Sequence, residues 1–154
     1  MEIRPAKPED VKEILSILNS VSLALLDKGI NQWSYPWNEE KLVDQLGFLY
    51  VGTVGGNVIA TFGMKVLNDW HVGKSGKYLY QIAIQPEYQG KGYGSVITCW
   101  AGEYARRLGE ELYLDCWAGS AKLKDFYSEN GFEFVGDFPE EEYDISVFKC
   151  KQEG

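Results

Sequence analysis

Apolar positions along this chain switch between a helical period and an alternating one, and the switches mark its elements. A short strand at Glu2-Ile3-Arg4 comes first. Pro8, Glu9 and Asp10 then open a helix, because proline fits the first helical position and acids suit its positive end. Val11, Ile14, Leu15, Leu18, Val21 and Leu25 follow at three- and four-residue steps until Gly29 stops the run. Asn38 caps a second, short helix carrying Leu42, Val43 and Leu46, with Gly47 beyond it. Residues 48–54 and 58–66 read as a hairpin around Gly55-Gly56-Asn57, since glycines supply the positive φ that a tight turn requires. A loop over 67–76 leads to a third long strand at 78–84, ended by Pro86.

The second half continues the alternation of types. A helix over 95–108, with Val96, Ile97, Trp100, Ala101, Tyr104 and Leu108 facing inward, stops at Gly109. Residues 112–117 form a strand, and Ser120 caps a helix bearing Leu123, Phe126 and Tyr127 that closes at Asn130-Gly131. Strands at 132–138 and 143–149 flank the acidic turn Glu140-Glu141-Glu142. The order is β-α-α-β-β-β-α-β-α-β-β, without a repeat, low-complexity tract or linker. It predicts one α/β domain over 1–154, a mixed sheet covered by helices.

Composition narrows the function classes. A chain of 154 residues, 45% hydrophobic, has enough apolar surface for one real core. A formal charge of -8 argues against nonspecific nucleic-acid binding, which needs basic surface to neutralise phosphates. The acidic balance suits small cationic partners, and it equally serves solubility alone. Cys99, Cys116 and Cys150 are odd in number and form no C-x-x-C pair, so neither a disulfide framework nor a zinc site is expected. The start Met1-Glu2-Ile3-Arg4-Pro5 lacks an apolar leader, and no window approaches the ~20 apolar residues of a membrane span. A cytoplasmic protein that uses no metal is the expectation.

The candidate chemistry lies between the strand at 78–84 and the helix that follows. Alternate glycines at Gly90, Gly92 and Gly94 let the backbone curl until successive N–H groups converge into an anion-binding nest. The helix N-terminus adds further N–H groups and partial positive charge, which suits a phosphate or pyrophosphate, and Lys91 adds local charge. The spacing fits neither a dinucleotide fingerprint nor a Walker A loop. Three glycines can also make a plain tight turn.

Gln89-x-x-Gly92-x-Gly94 resembles the Gln/Arg-x-x-Gly-x-Gly/Ala acetyl-CoA loop of the GNAT superfamily of N-acetyltransferases. Its lead-in, Ile82-Ala83-Ile84-Gln85-Pro86-Glu87-Tyr88, is similar to the family's usual one. Leu114-Asp115-Cys116-Trp117-Ala118 resembles the family's fifth strand, and Phe126-Tyr127-Ser128-Glu129-Asn130-Gly131-Phe132 its Phe-Tyr-x-x-x-Gly-Phe segment. The matching stretch runs from 78 to 132, and the element order agrees throughout. The resemblance implies a mostly antiparallel sheet of about seven strands flanked by four helices. It also implies acetyl-CoA as co-substrate, an amine as acceptor, direct attack without an acyl-enzyme, and a homodimer by family habit; a noncatalytic acetyl-CoA-sensing module, and transfer of another acyl group or to a hydroxyl, are the alternative readings.

Residue by residue, the same resemblance assigns cofactor contacts to Gln89, Gly90, Lys91, Gly92, Tyr93, Gly94 and Ser95 in the loop. It adds Ser120, Lys122, Leu123 and Phe126 on the last helix. The backbone of Ile82, Ala83 and Ile84 takes the pantetheine arm like an added strand. Many members carry Asn and Ala where this chain has Ser120 and Leu123, so an amide contact is lost. Lys122 and Lys124 are candidates for the cofactor's 3′-phosphate, with Lys91 ahead of both.

Acetyl transfer needs a neutral amine, a polarised carbonyl and a proton or hydrogen bond for the departing thiolate. Tyr127 falls on the family position that faces the leaving sulfur, which makes it the general acid; by spacing alone it can equally pack in the core. Cys116 reads as a buried structural cysteine, with no histidine partner evident in sequence. The general base is missing: members often use a Glu on the fourth strand, and that strand here offers Gln81. Asp115, Glu87, Asp69 and His71 are the other titratable candidates, each also readable as a plain strand or loop residue. An α-amine, with a reference pKa of about 8, barely needs a base. For the acceptor, Trp33, Tyr35 and Trp37 can wall a cation, or clamp their loop onto the core. Asp115 is a further acceptor-side candidate.

Overall fold

The computed structural model describes residues 1–30, 33, 35–68 and 76–151. Its elements are β1 (Glu2–Pro5), α1 (Val11–Asp27), α2 (Glu39–Asp44), β2 (Leu49–Val54), β3 (Asn57–Leu67) and β4 (Gly76–Ile84). They continue with α3 (Tyr93–Arg107), β5 (Leu112–Trp117), α4 (Ala121–Glu129), β6 (Phe132–Pro139) and β7 (Asp144–Cys150). The strands form a seven-stranded sheet ordered β1-β2-β3-β4-β5-β7-β6. β4 and β5 run parallel, in register at Lys77↔Leu112 and Tyr78↔Tyr113. The pairs β1·β2, β2·β3, β5·β7 and β6·β7 are antiparallel. This is the mixed α/β architecture and element order that the hydrophobic pattern predicts.

Local chemistry explains where the helices start. Asp10 accepts from Lys7 N at 2.8 Å and holds the Arg4 guanidinium with both oxygens, at 2.7 and 3.0 Å, which ties β1 to the entry of α1. Asn38 Oδ1 accepts from Lys41 N, and Ser120 Oγ from Leu123 N, so both expected caps form. α3 differs from expectation by beginning at Tyr93 rather than 95, because Val96 N closes onto Gly92 O at 3.3 Å and draws Tyr93 and Gly94 into the first turn. Its buried line is Ile97, Thr98, Ala101 and Ala105. Val96 and Leu108, expected to face inward, are 41% and 49% exposed. Val96 lies about 100° of helical rotation from Ile97, and Leu108 follows the last residue of α3.

Contacts divide the chain into two compact units, Met1–Gly63 with Gln81–Ile97, and Met64–Tyr80 with Thr98–Gly154. The core of the first packs Val11, Ile14, Ile17 and Leu18 of α1 against Leu42, Leu49, Val51 and Ala83. Each of these side chains larger than alanine contributes roughly 1.5–3 kcal/mol by leaving water. Trp33 and Trp37 pack against this core edge to face, 6.0 Å apart. In the second unit Tyr113, Ile145 and Val147 form a buried cluster with Leu67 and Phe138 alongside. Among the described residues no helix is long and apolar enough to cross a membrane.

Candidate active site

In the first unit the predicted loop is built on two left-handed glycines. Gly90 and Gly92 have φ of 76° and 85°, and a Cβ added at either would meet nothing within 4 Å. Glycine is therefore required by backbone conformation, and the space beside the loop is open for another group to approach. Gln89 Nε2 donates to Ile84 O at 3.0 Å and anchors the loop to the end of β4. The Lys91 ammonium lies 5.6 Å from the centre of the Tyr88 ring, which keeps a positive charge beside the glycines. The N-terminus of the 15-residue α3 begins at Tyr93, directly after Gly92. Curled backbone, helix end and lysine together suit a phosphate. On β4, Ala83 is buried and Ile82 and Ile84 are half-buried.

Gln81, in the same strand, has a backbone that its sequence does not announce. Its φ is 56°, and its Nε2 is buried with no hydrogen-bond partner among the described residues. Glu87 is exposed and accepts from Gln85 Nε2 at 2.9 Å.

In the second unit, Tyr127 of α4 is 8% exposed and its ring meets Phe126, Phe132 and Phe148 at centroid distances of 5.6, 6.0 and 5.8 Å. Burial, with Cys116 and Asp115 adding negative potential, holds its phenol well above the usual tyrosine range. The Cys116 thiol is also buried, and desolvation, with Asp115 secondary, pushes it up to about 11. It is therefore a protonated thiol at neutral pH and a poor nucleophile. Asp115 Oδ1 accepts from Tyr78 Oη at 2.8 Å, and burial followed by that carboxylate raises the Tyr78 pKa. Around the start of α4, Ser120 caps the helix, Lys122 and Leu123 are exposed, and Lys124 and Phe126 are half-buried.

The structure sorts the aromatic trio of the α1–α2 connection. Trp37 donates its indole N–H to Ser22 Oγ and its backbone N–H to Asn19 Oδ1, both at 2.8 Å, so it clamps the connection to α1. Trp33 is half-buried against the same core, and Tyr35 is 46% exposed. The acids 140–142 are all exposed. Two candidate bases, Asp69 and His71, lie outside the described residues. The pairing of Tyr78 with Asp115 was missed in sequence because its members are 37 residues apart, and the break at Gln81 because its strand pattern runs on unchanged.

Comparison with known proteins defines the class. Residues 16–132 match the acetyltransferase (GNAT) family, and the chain belongs to that family of acyltransferase enzymes. YesJ of Bacillus subtilis (strain 168), described as an uncharacterized N-acetyltransferase, is 30% identical over 147 residues, spanning 86% of this chain and 81% of YesJ. Among solved structures, a GNAT-family acetyltransferase from Listeria monocytogenes superimposes with a TM-score of 0.77 at 18% identity, covering 97% of this chain and 94% of its own. The PaiA N-acetyltransferase of Thermoplasma acidophilum, solved in complex with coenzyme A, gives a TM-score of 0.73 at 17% identity over 98% of both chains.

Proposed function

We propose that the protein transfers an acetyl group from acetyl-CoA to an amine by direct attack, with Tyr127 as the general acid. The thioester, when bound, supplies an activated acetyl carbon and a thiolate leaving group. Gly90, Gly92, Gly94 and the first turn of α3 hold the pyrophosphate with backbone N–H groups, and Lys91 adds charge. The backbone of Ile82, Ala83 and Ile84 takes the pantetheine arm. Tyr127 donates its phenolic proton, or a hydrogen bond, to the departing sulfur.

The observation that carries this reading is the shared environment of Tyr127 and Cys116. A reference thiol and phenol differ by about 1.5 pKa units, which would leave tyrosine a weak donor to a thiolate in water. Desolvation raises both. Burial raises the phenol further than the thiol, so Tyr127 serves a leaving sulfur as a hydrogen-bond donor that stays protonated rather than as a strengthened acid. Cys116 itself stays protonated, which favours direct transfer over an acyl-enzyme. With an amide rather than a carboxylate at Gln81, an α-amine of a small molecule or peptide is favoured, because a lysine-like amine gives up roughly three units to deprotonation at neutral pH.

Thiol release, measured with a chromogenic thiol reagent across a panel of α-amines, alkylamines and alcohols, tests the proposal. Turnover with α-amines above the hydrolysis background is expected. Turnover confined to alcohols, or none at all, overturns it.

A further inference from the structure

Every left-handed position among the described residues is glycine except one. Gly29, Gly55, Gly56, Gly90, Gly92, Gly109 and Gly131 have positive φ, and so does Gln81, at 56°. Glycine adopts that conformation freely and an L side chain resists it, so a glutamine held there points to a use for its side chain. The side chain carries a second anomaly. Its Nε2 is buried and has no hydrogen-bond partner among the described residues. Buried donors are almost always paired, and an amide nitrogen has two N–H groups to satisfy.

From these two observations we propose that Gln81 is a specificity residue for the acceptor, donating to a carbonyl or carboxylate oxygen carried close to the reacting amine. The inference rests on the acetyl-transfer reading above. Gln81 directly precedes Ile82, Ala83 and Ile84, the stretch assigned to the pantetheine arm, which puts it at one end of the proposed donor site. A neutral amide N–H requires a lone pair and gains nothing from an ammonium or an alkyl chain. The acceptor class is therefore an amine with a neighbouring oxygen acceptor, as in an α-amino acid, an amino amide or a peptide N-terminus. A plain alkylamine or diamine leaves the donor buried and unpaired, and sites of this kind discriminate strongly against analogues that lack the partner group.

The test compares phenylalanine amide, phenylalanine and a Phe-Ala dipeptide with phenethylamine, by thiol release at one pH. The ratio of kcat/KM for each oxygen-bearing amine over phenethylamine is measured in the wild type, Gln81→Met and Gln81→Glu; comparing ratios between proteins cancels the amines' own basicities. Methionine keeps length without a donor and should lower the ratio about tenfold. Glutamate, which presents an acceptor, should lower it further, most of all for free phenylalanine. The three oxygen-bearing amines also separate free amino acid from peptide. Independently of activity, Gln81→Met should raise Tm by about 2–4 °C, because an unpaired buried donor is gone. In the wild type, N-acetylphenylalanine amide should raise Tm more than N-acetylphenethylamine, a readout that requires no variant to fold. Unchanged ratios with thiol release intact, or equal Tm shifts from the two products, overturn this inference alone. No thiol release from any amine overturns the acetyl-transfer reading and this inference with it.

Discussion

Tyr127→Phe separates chemistry from packing at one atom. The substitution keeps the ring contacts with Phe126, Phe132 and Phe148 and removes only the phenolic oxygen, which makes no hydrogen bond among the described residues. Loss of stability should stay within about 0.5 kcal/mol, since no cavity larger than one oxygen opens and no partner is orphaned. Loss of a general acid lowers turnover by about 10²–10⁴, or roughly 3–5 kcal/mol of barrier at 1.36 kcal/mol per tenfold. The chemical effect therefore exceeds the structural one several times over. The assay is kcat at saturating amine and acetyl-CoA by thiol release, with KM for acetyl-CoA and Tm measured on the same preparations. The expected outcome is a drop in kcat of at least a hundredfold, with KM and Tm near wild type. The raised pKa fixes a pH signature as well. The folded protein holds this proton more tightly than the unfolded chain, so the group's contribution to stability is full below about pH 10 and is lost as pH rises through the folded value. Turnover should show no alkaline fall from Tyr127 below about pH 10. A Phe variant that keeps more than half of wild-type turnover refutes the assignment.

Three further outcomes follow from the geometry. Gly92→Ala forces an L residue to φ 85° with nothing nearby to clash, so it should destabilise by about 1–2 kcal/mol and raise KM for acetyl-CoA at least tenfold; Gly55→Ala, at φ 58° in the β2–β3 turn, should show a similar loss in Tm with KM unchanged. Asp10→Asn should destabilise by about 1–3 kcal/mol at pH 7 in urea titration. The hydrogen bond from Arg4 holds the Asp10 carboxyl below the usual range, so the difference is present above about pH 4 and shrinks as pH falls through the folded value. Trp37→Phe removes the donor to Ser22 Oγ and leaves that buried hydroxyl with one partner fewer, which should cost about 1–3 kcal/mol by thermal or urea unfolding.

Much of the framework was legible in the chain itself because it is written in local terms. The apolar steps of α1, the caps Asn38 and Ser120, and the Gly55-Gly56 turn each act within a few residues, and each appears in the structure where the pattern puts it. The inward face of α3 was read less well. Val96 and Leu108 look like core by hydrophobicity and are exposed, whereas Ile97 and Ala101 are buried as read and Ala105 extends their line. The aromatic connection was legible as a choice between wall and clamp, and only the contacts with Ser22 and Asn19 assign Trp37 to the clamp.

By itself, the sequence determined the order of elements, the glycine loop that opens α3, and the position of Tyr127 four residues beyond Leu123 on the last helix. These depend on spacing, backbone freedom and caps, all properties of short segments. Tertiary structure alone decided the chemistry of the side chains. Burial raises the pKa of Tyr127 and Cys116, a hydrogen bond across 37 residues joins Tyr78 to Asp115, and a left-handed backbone leaves the amide of Gln81 buried without a partner. Desolvation and orphaned donors depend on what surrounds an atom in three dimensions, and neighbours distant in the chain cannot be read from spacing.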